Sequence, residues 1–236
     1  MRRVEHTRRR LARTYLHGSG IEIGALHMPL WIPPGVTVRY VDRLDLDGLR
    51  GHYPELAGER LVAPDVVDDG EALTLLPAAS ADFVIANHFI EHTEDPIATL
   101  LAHARVLRDG GTLFMAVPDR GAGVDVAREG TSWEHLTADH REGAEHSRAA
   151  HYEEWARLVD ARLGNIDPED VAVHAVALQE RAHSIHFHAW SPEEFAAFVR
   201  RAGQEFGLPL ELVEVVPNLH EFIVIARRAP RAVSQG

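Results

Sequence analysis

The sequence predicts an α/β fold built on a doubly wound, mostly parallel sheet of seven strands, with a C-terminal antiparallel hairpin and a helical lid insertion. Short apolar runs alternate with helical patterns through the first half of the chain, which favours a parallel sheet. The alternation stops over residues 120–189, which are polar, rich in histidine and mostly helical in pattern. We therefore expect a core formed by 1–119 and 190–228, an inserted lid at 120–189 and a flexible tail at 229–236.

The seven strands are predicted from runs of apolar and β-branched residues. The fifth run, GTLFMAVPD, is almost continuously apolar, which suits a parallel strand covered on both faces. The last two strands are joined by a tight turn around Pro217–Asn218. In chain order the predicted strands are Ile21–Gly24, Val36–Asp42, the segment RLVAPDVVDDG, a strand centred on Phe83–Ala86, Gly111–Asp119 and the two arms of LELVEVVPNLHEFIVIARR.

Three of the predicted helices are marked by their composition or their ends. Apolar residues at helical spacing among arginines predict an amphipathic helix at 3–16. Asp95 is the N-cap of a second helix, for which Gly110 is the stop signal. Ser191 and Glu194 have the spacing of a capping box at the start of a third.

The composition limits the class of protein. The chain has 236 residues, a formal net charge of −12 and no cysteine. The negative charge argues against binding to nucleic acid or to an anionic membrane surface, and the missing cysteines exclude disulfides and thiolate metal sites. No apolar segment resembles a signal peptide or a bilayer-spanning helix, so we expect a cytoplasmic protein. A homodimer is left open.

Three segments together resemble the cofactor-binding motifs of class I S-adenosylmethionine-dependent methyltransferases, whose sheet is Rossmann-like. They are IEIGAL, YVD ending at Asp42, and VDDGEALTLLPAASADFVIANHFIEHTEDP. The resemblance covers roughly residues 20–119 and 191–228. The first segment departs from the family pattern, since Leu26 and Met28 stand where further glycines are usual.

The missing glycines indicate a ligand without a pyrophosphate, because a dinucleotide site needs three spaced glycines for close backbone approach. The resemblance implies S-adenosylmethionine as the cofactor. It implies that Asp42 accepts hydrogen bonds from the ribose, that Asp69 accepts from the adenine amino group, and that Glu22 faces the ammonium group. The cofactor-binding residues expected on this basis are Glu22, Gly24, Ala25, Asp42, Asp69, Gly70, Asn87 and His88.

The insertion follows the fifth strand, so we expect it to bind the methyl acceptor and to supply the catalytic base. Methyl transfer to an alcohol requires removal of a proton, and a histidine oriented by a carboxylate suits that task. We predict that His140 is the base and that Asp119 or Asp139 orients its ring. His135, beside Glu134, is the alternative base.

The remaining predicted acceptor-binding residues come from polar positions of the same insertion. His186 and His188 alternate with Phe187, and on an extended chain both side chains would point the same way. The predicted acceptor-binding residues are Glu134, His135, His186 and His188.

A metal ion is the competing use of these side chains. Asp119, Glu134 and Asp139 offer the oxygen ligands that Mg²⁺ prefers, so a possible Mg²⁺ requirement is left open. For zinc, no H-x-x-x-H or H-E-x-x-H spacing falls on a well-predicted helix, and only the spacing of His186 and His188 is suggestive.

The acceptor that we expect is a hydroxyl group of a sugar or polysaccharide precursor. The insertion combines many polar side chains with aromatic ones, which suits a carbohydrate, and it resembles that of actinobacterial methyltransferases linked to polysaccharide assembly. The alternatives are a methyltransferase of another small molecule such as a natural product, a metal-dependent hydrolase that uses histidines and carboxylates, and a catalytically silent cofactor-binding partner. The aromatic residues concerned are Trp133, Tyr152, Trp155, Phe187 and Trp190.

Overall fold

The structure, a computed structural model, describes residues 2–230 of the chain. Residues 231–236, which form most of the tail predicted at 229–236, lie outside the described residues. Within 2–230, none of the helices combines the length and the apolar character that crossing a membrane requires.

Seven strands form one sheet, which confirms the predicted fold class. They are β1 (Ser19–Ile23), β2 (Thr37–Asp42), β3 (Val66–Val67), β4 (Ala81–Ile85), β5 (Leu107–Pro118), β6 (Leu210–Asn218) and β7 (Glu221–Arg228). Their order across the sheet is β3-β2-β1-β4-β5-β7-β6. All neighbours from β3 to β5 pair in parallel, whereas β7 runs antiparallel to both β5 and β6.

The strand order places a crevice at one edge of the sheet. From β1 the chain moves outward to β2 and β3, and it then returns to the other side of β1 to form β4 and β5. At such a reversal the loops after the two central strands leave in opposite directions, and ligands bind outside the carboxyl ends of the strands. The candidate site is therefore expected beside the ends of β1, β2 and β4.

The helices begin where their capping residues predict. Asp95 Oδ1 accepts a hydrogen bond from the Ala98 amide at 2.9 Å, and Ser191 and Glu194 form a reciprocal capping box. The helix after Asp95 ends before Gly110, because strand β5 already starts at Leu107. The α-helices of the described chain are α1 (Arg2–Tyr15), α2 (Leu46–His52), α3 (Pro96–Val106), α4 (Trp133–Glu142), α5 (Arg148–Trp155), α6 (Val171–Glu180) and α7 (Pro192–Phe206).

The turn of the C-terminal hairpin lies two residues later than predicted. Pro217 and Asn218 are the last residues of β6, and the turn is formed by Leu219 and His220. Leu219 adopts a φ of 65°, a left-handed conformation suited to a tight turn. Proline is tolerated in β6 because an edge strand leaves one row of amides without a partner strand.

Side chains of the central strands alternate between two cores, one on each face of the sheet. Phe83 and Ile85 pack with Leu11 of α1, whereas Val84 packs with Leu100 of α3 on the opposite face. Because successive side chains of a strand point to opposite faces, one apolar strand contributes to both cores. Helices on both faces make the sheet doubly wound.

The insertion at 120–189 is mostly helical, as predicted, and contains α4, α5 and α6. It has a small core of its own, and the Phe187 amide donates to the Glu91 carbonyl at 2.7 Å, which ties the insertion to the loop after β4. That the insertion works as a lid stays a prediction. The small core consists of Tyr152, Ala156, Ala175, Leu178, Ile185 and Phe187.

Candidate functional site

Two adjoining clefts open at the carboxyl edge of the sheet. The first cleft, of about 460 Å³, includes Asp42 and Asp69, and the second, of about 720 Å³, includes Glu22 and Asn87. All eight residues predicted to bind the cofactor line one or both clefts. The residues common to both are Ile23, Gly24, Leu26, His88 and His92.

Glu22 holds a buried carboxylate in the second cleft. Its Oε1 accepts a hydrogen bond from the Leu30 amide at 2.8 Å, but its Oε2 is buried without a hydrogen-bond partner among the described residues. Burial raises the pKa of Glu22 to about 7, although the Leu30 amide and the charge of Arg8 oppose that shift. A buried acceptor without a donor is costly, so this oxygen is suited to a cationic group of a ligand.

Asn87 supplies a hydrogen-bond donor to the same cleft. Its Oδ1 accepts from the Ala116 amide at 2.9 Å, which fixes the orientation of the side-chain amide. Its Nδ2 is buried without a hydrogen-bond partner in the described part of the chain. The second cleft therefore presents one buried acceptor and one buried donor that nothing in residues 2–230 satisfies.

The first cleft is lined by carboxylates at the ends of β2 and β3. Asp42 Oδ1 accepts from the Arg43 amide and Asp69 Oδ1 from the Glu71 amide, at 2.8 and 2.9 Å. Burial raises the pKa of Asp42, and burial together with the neighbouring acids raises that of Glu71 to about 7. Such acceptors suit the hydroxyl and amino groups of a nucleoside.

Two glycines at the carboxyl edge of the sheet are explained by backbone conformation and by close packing. Gly24 has a φ of 64°, which favours glycine, and its amide donates to the Val41 carbonyl at 3.0 Å. A Cβ on Gly70 would lie 2.6 Å from Ile23 Cγ2 and 2.8 Å from Phe89 Cζ. Close packing therefore requires Gly70, whether or not a ligand ring lies against it.

His88 belongs to a buried charge network that the sequence did not predict. Its Nε2 lies 2.8 Å from Glu221 Oε2, and Arg8 donates to both oxygens of Glu221 at 2.9 and 2.5 Å. Burial alone would lower the pKa of His88, but the carboxylates of Glu221 and Glu91 raise it to about 9. Burial opposes ionisation of Glu221 as well, yet His88 and Arg8 lower its pKa to about 2. His88 is therefore a cation at neutral pH.

His92 lies in the wall common to both clefts. Its Nδ1 is 2.8 Å from the Ile185 carbonyl and 3.0 Å from Ser184 Oγ. Because a carbonyl oxygen only accepts, Nδ1 carries the hydrogen and Nε2 has the free lone pair in the neutral ring. Burial lowers the pKa of His92, and its Nε2 lies 3.8 Å from Glu91 Oε1. His92 is thus a neutral imidazole with a fixed tautomer.

The predicted pairing of His140 with Asp119 or Asp139 is wrong. His140 Nδ1 bonds instead to Asp95 Oδ2 at 2.8 Å, its ring packs on Phe206, and it lines neither cleft. Asp119 caps its own turn by accepting from the Gly121 amide at 2.8 Å. For Asp139 the physical reason is helical geometry, since adjacent residues on α4 point in different directions.

The predicted acceptor-binding histidines separate into two groups, and Glu134 belongs to neither. His135 meets His151 and His188, whereas His186 Nδ1 bonds to Asp125 Oδ2 at 2.6 Å and packs beside His92. The expectation that His186 and His188 point the same way is therefore wrong, because the 183–189 segment is not a regular strand.

Neither the predicted magnesium ligands nor the aromatic platforms form a site at the clefts. Among the described residues, Asp119, Glu134 and Asp139 do not converge as a ligand group. Trp190, Tyr152 and Phe187 are buried in the interior. The remaining two, Trp133 and Trp155, pack against Phe198 and His186.

Several residues of the observed site were missed at the sequence level. Arg8 and Glu221 are 213 positions apart, and Asp125 lies 61 positions before its partner His186. No local pattern marks such pairs. His92 lies within the third segment that resembles the family motifs, but its partner Ile185 lies 93 positions away.

Comparison with known proteins identifies the family. The methyltransferase domain family matches residues 28–164, which is more than half of the chain. No curated protein matches the sequence. A SAM-dependent methyltransferase from Aquifex aeolicus is similar in fold at 12% identity, over 95% of this chain and 89% of that one, with a TM-score of 0.51.

Two further solved structures share the fold. A SAM-dependent methyltransferase from Thermotoga maritima, described as a candidate histamine N-methyltransferase, is 13% identical over 96% of this chain and 90% of its own, with a TM-score of 0.51. A methyltransferase from Haloferax volcanii, in complex with the Trm112 activator, is 15% identical over 97% and 91%, with a TM-score of 0.52. With this match over more than half of its length, the chain belongs to the methyltransferase domain family, and it shares the fold of solved S-adenosylmethionine-dependent methyltransferases.

Proposed function

We propose that the protein transfers the methyl group of S-adenosylmethionine to a hydroxyl oxygen of a sugar or polysaccharide precursor, with His92 as the general base. The observation that supports this most directly is the neutral imidazole of His92, which has a fixed tautomer and lies where the two clefts meet. This assignment replaces His140, which lines neither cleft.

The residues of the clefts fit the cofactor. Oε2 of Glu22 would accept from the ammonium group and Nδ2 of Asn87 would donate to the carboxylate, so the amino-acid end satisfies two buried atoms at once. Asp42 would accept from the ribose hydroxyls and Asp69 from the adenine amino group in the first cleft. Bound there, S-adenosylmethionine supplies a methyl group that is already activated by its sulfonium.

His92 would make the acceptor oxygen nucleophilic. A neutral hydroxyl is a weak nucleophile, so its proton must leave as the oxygen–methyl bond forms and the sulfur–methyl bond breaks. Nε2 of His92 would take that proton, while the Nδ1 hydrogen stays on the Ile185 carbonyl. The carboxylate of Glu91, 3.8 Å from Nε2, would stabilise the resulting imidazolium. His88 is unsuited to this task because it already carries a proton at neutral pH.

The sugar acceptor has separate support. The insertion resembles that of actinobacterial enzymes such as the mycobacterial methylmannose-polysaccharide 1-O-methyltransferase. The mouth of the second cleft also offers hydrogen-bonding side chains, those of Glu5, His27 and His220. The interior position of the aromatic residues removes the stacking argument, so the resemblance and the polar mouth carry this part of the proposal.

The test is a mass-spectrometric screen of sugars and oligosaccharides for cofactor-dependent gain of one methyl group. On the best acceptor, His92→Gln should lower turnover by roughly 10²–10⁴-fold with little change in cofactor affinity. His174→Gln is the matched control, because His174 bonds to Asp160 at 2.9 Å and lines neither cleft. Loss of turnover in His140→Ala but not in His92→Gln would return the base to His140. Methylation of amines only would contradict the hydroxyl acceptor.

A further inference from the structure

We propose that the insertion binds a zinc ion between His135, His151 and His188. This three-histidine cluster lies outside the two clefts, and its assignment does not depend on the identity of the methyl acceptor.

The cluster brings together three separate elements. His135 is on α4, His151 is on α5 and His188 precedes α7. One ring nitrogen from each lies within 4.8 Å of the others, and the Nε2 atoms of His135 and His151 are 2.9 Å apart. Zinc–nitrogen bonds of about 2.0–2.1 Å in a tetrahedron place the ligand atoms roughly 3.4 Å apart. Small side-chain adjustments are therefore enough to gather the three imidazoles around one ion.

His188 provides the second, independent observation. Its side chain is fully buried, and its Nε2 donates to the Glu94 carbonyl at 3.3 Å. Nδ1 consequently carries the lone pair, and it is buried without a hydrogen-bond partner among the described residues. A buried acceptor of this kind needs a donor or a cation. The imidazoles of His135 and His151 pack beside the ring of His188, with centroids 5.7 and 5.3 Å from its own.

The type of ligand selects the metal. Imidazole nitrogens suit zinc, whereas magnesium and calcium prefer oxygen. Asp139 lies beside the cluster as a buried carboxylate, with its Oδ2 3.0 Å from His135 Nε2 and its Oδ1 held by the Ser147 hydroxyl at 2.7 Å, so a water molecule is expected as the fourth ligand. A cleft of about 300 Å³, bordered by His135 and His151, gives solvent access to the site.

A second group of converging ligand atoms, Glu91, His92 and His186, is the alternative position for an ion. His92 Nδ1 is already bonded to the Ile185 carbonyl, and His186 Nδ1 is bonded to Asp125 at 2.6 Å. Those contacts leave the Nε2 atoms of His92 and His186 free, and both oxygens of Glu91 are buried without a hydrogen-bond partner among the described residues. The His186→Ala variant therefore tests this group directly.

Zinc in the three-histidine cluster would fix the insertion against the cofactor-binding core. The amides of Phe187 and His188 both donate to the Glu91 carbonyl, so an ion on His188 would also hold the turn Ile90–His92 in place. The ion thus acts as a structural cross-link between α4, α5 and the loop that carries His92.

The test measures metal binding by the whole protein, independently of methyl transfer. After removal of metals with a chelator, Zn²⁺ is titrated in competition with a chromophoric chelator, and Co²⁺ replaces it to report a four-coordinate site by visible absorption. We expect one Zn²⁺ per chain. His135→Ala and His151→Ala should each weaken binding by at least about 100-fold, the upper end of what loss of an outer-shell partner causes. His174→Ala, which removes a histidine outside the cluster, should bind like the wild type.

The variants also separate this site from its alternatives. His135 is 32% exposed in its side chain, so His135→Ala is expected to fold, and unchanged circular dichroism and cofactor affinity check this. Zinc binding that survives in His135→Ala and is lost in His186→Ala would assign the ion to the Glu91 group and overturn the proposal. A wild-type protein that binds no Zn²⁺ above the His135→Ala background would overturn it too.

Discussion

Glu22 and Asn87 present complementary atoms to one cleft: Oε2 of Glu22 accepts, Nδ2 of Asn87 donates, and neither has a hydrogen-bond partner among the described residues. The amino-acid end of S-adenosylmethionine carries an ammonium and a carboxylate on one carbon atom. In the proposed binding mode it satisfies both atoms together, which would account for a carboxylate inside the apolar strand β1.

The first prediction is that cofactor binding releases a proton from Glu22. Without cofactor the pKa of Glu22 is about 7, because burial disfavours its charge. A bound ammonium favours the ionised form, so binding should release close to one proton at about pH 6 and almost none above about pH 8. Calorimetry in buffers with different ionisation enthalpies measures this release. The same release in Glu22→Gln would show that another group is responsible.

The second prediction concerns Asp42. Asp42→Ala should weaken S-adenosylmethionine binding by about 1.5–3 kcal/mol, the range for hydrogen bonds to a charged group. Asp47→Ala is the matched control, because Asp47 is a mostly exposed acid on the neighbouring helix α2. Calorimetric affinities that are equal in the two variants would remove Asp42 from the cofactor site.

The strand-end residues predicted from the sequence lie together in the structure, whereas the predicted partners of His140 do not lie beside it, and the reason is physical. In a parallel sheet the residues at strand ends share one edge, so Asp42 and Asp69 could be placed together from the strand pattern alone. Helix caps are equally local, as the contact of Asp95 with the Ala98 amide shows.

The insertion could not be predicted in the same way. Neighbours in sequence, such as Asp139 and His140, diverge on a helix, and the contacts that form join distant positions. His140 meets Asp95, 45 residues away, and His135 meets His151, 16 residues away. Only tertiary packing decides such pairs, so residue type and spacing did not predict the partners of His140 and His135.

The third prediction is the pH profile of methyl transfer. Only a neutral His92 accepts a proton, and burial places its pKa below the ordinary value of 6.5. With saturating cofactor, which keeps Glu22 ionised, kcat/KM for the acceptor should therefore hold through neutral pH and fall only in more acidic solution. His92→Gln should abolish this acidic limb. If kcat/KM of His92→Gln still falls at the same acidic pH, the titration belongs to a different group.

The last prediction concerns the buried network beneath the second cleft. Arg8 and Glu221 are 7% and 1% exposed, and Arg8 donates to both carboxylate oxygens. Without Arg8 the buried carboxylate of Glu221 keeps only His88 as a cationic partner, so Arg8→Met should lower the free energy of unfolding by about 3 kcal/mol. Arg9→Met breaks the exposed pair with Glu5 and should cost less than about 0.5 kcal/mol. Urea denaturation compares the two variants, and equal losses would mean that burial adds nothing to the Arg8 pair.

The same network predicts how stability depends on pH. The pKa of His88 is raised to about 9, so its contribution is fully present below about 6.5 and is lost as the pH rises through 9. Glu221 has a pKa lowered to about 2, so its contribution is present above about 4.5 and is lost as the pH falls through 2. Glu221→Gln removes the contribution of Glu221 and part of that of His88, because the carboxylate of Glu91 still faces His88. Its loss of stability relative to the wild type should therefore be greatest between about pH 4.5 and 6.5 and should shrink on either side, and a loss that is constant across this range would contradict a charged His88–Glu221 pair.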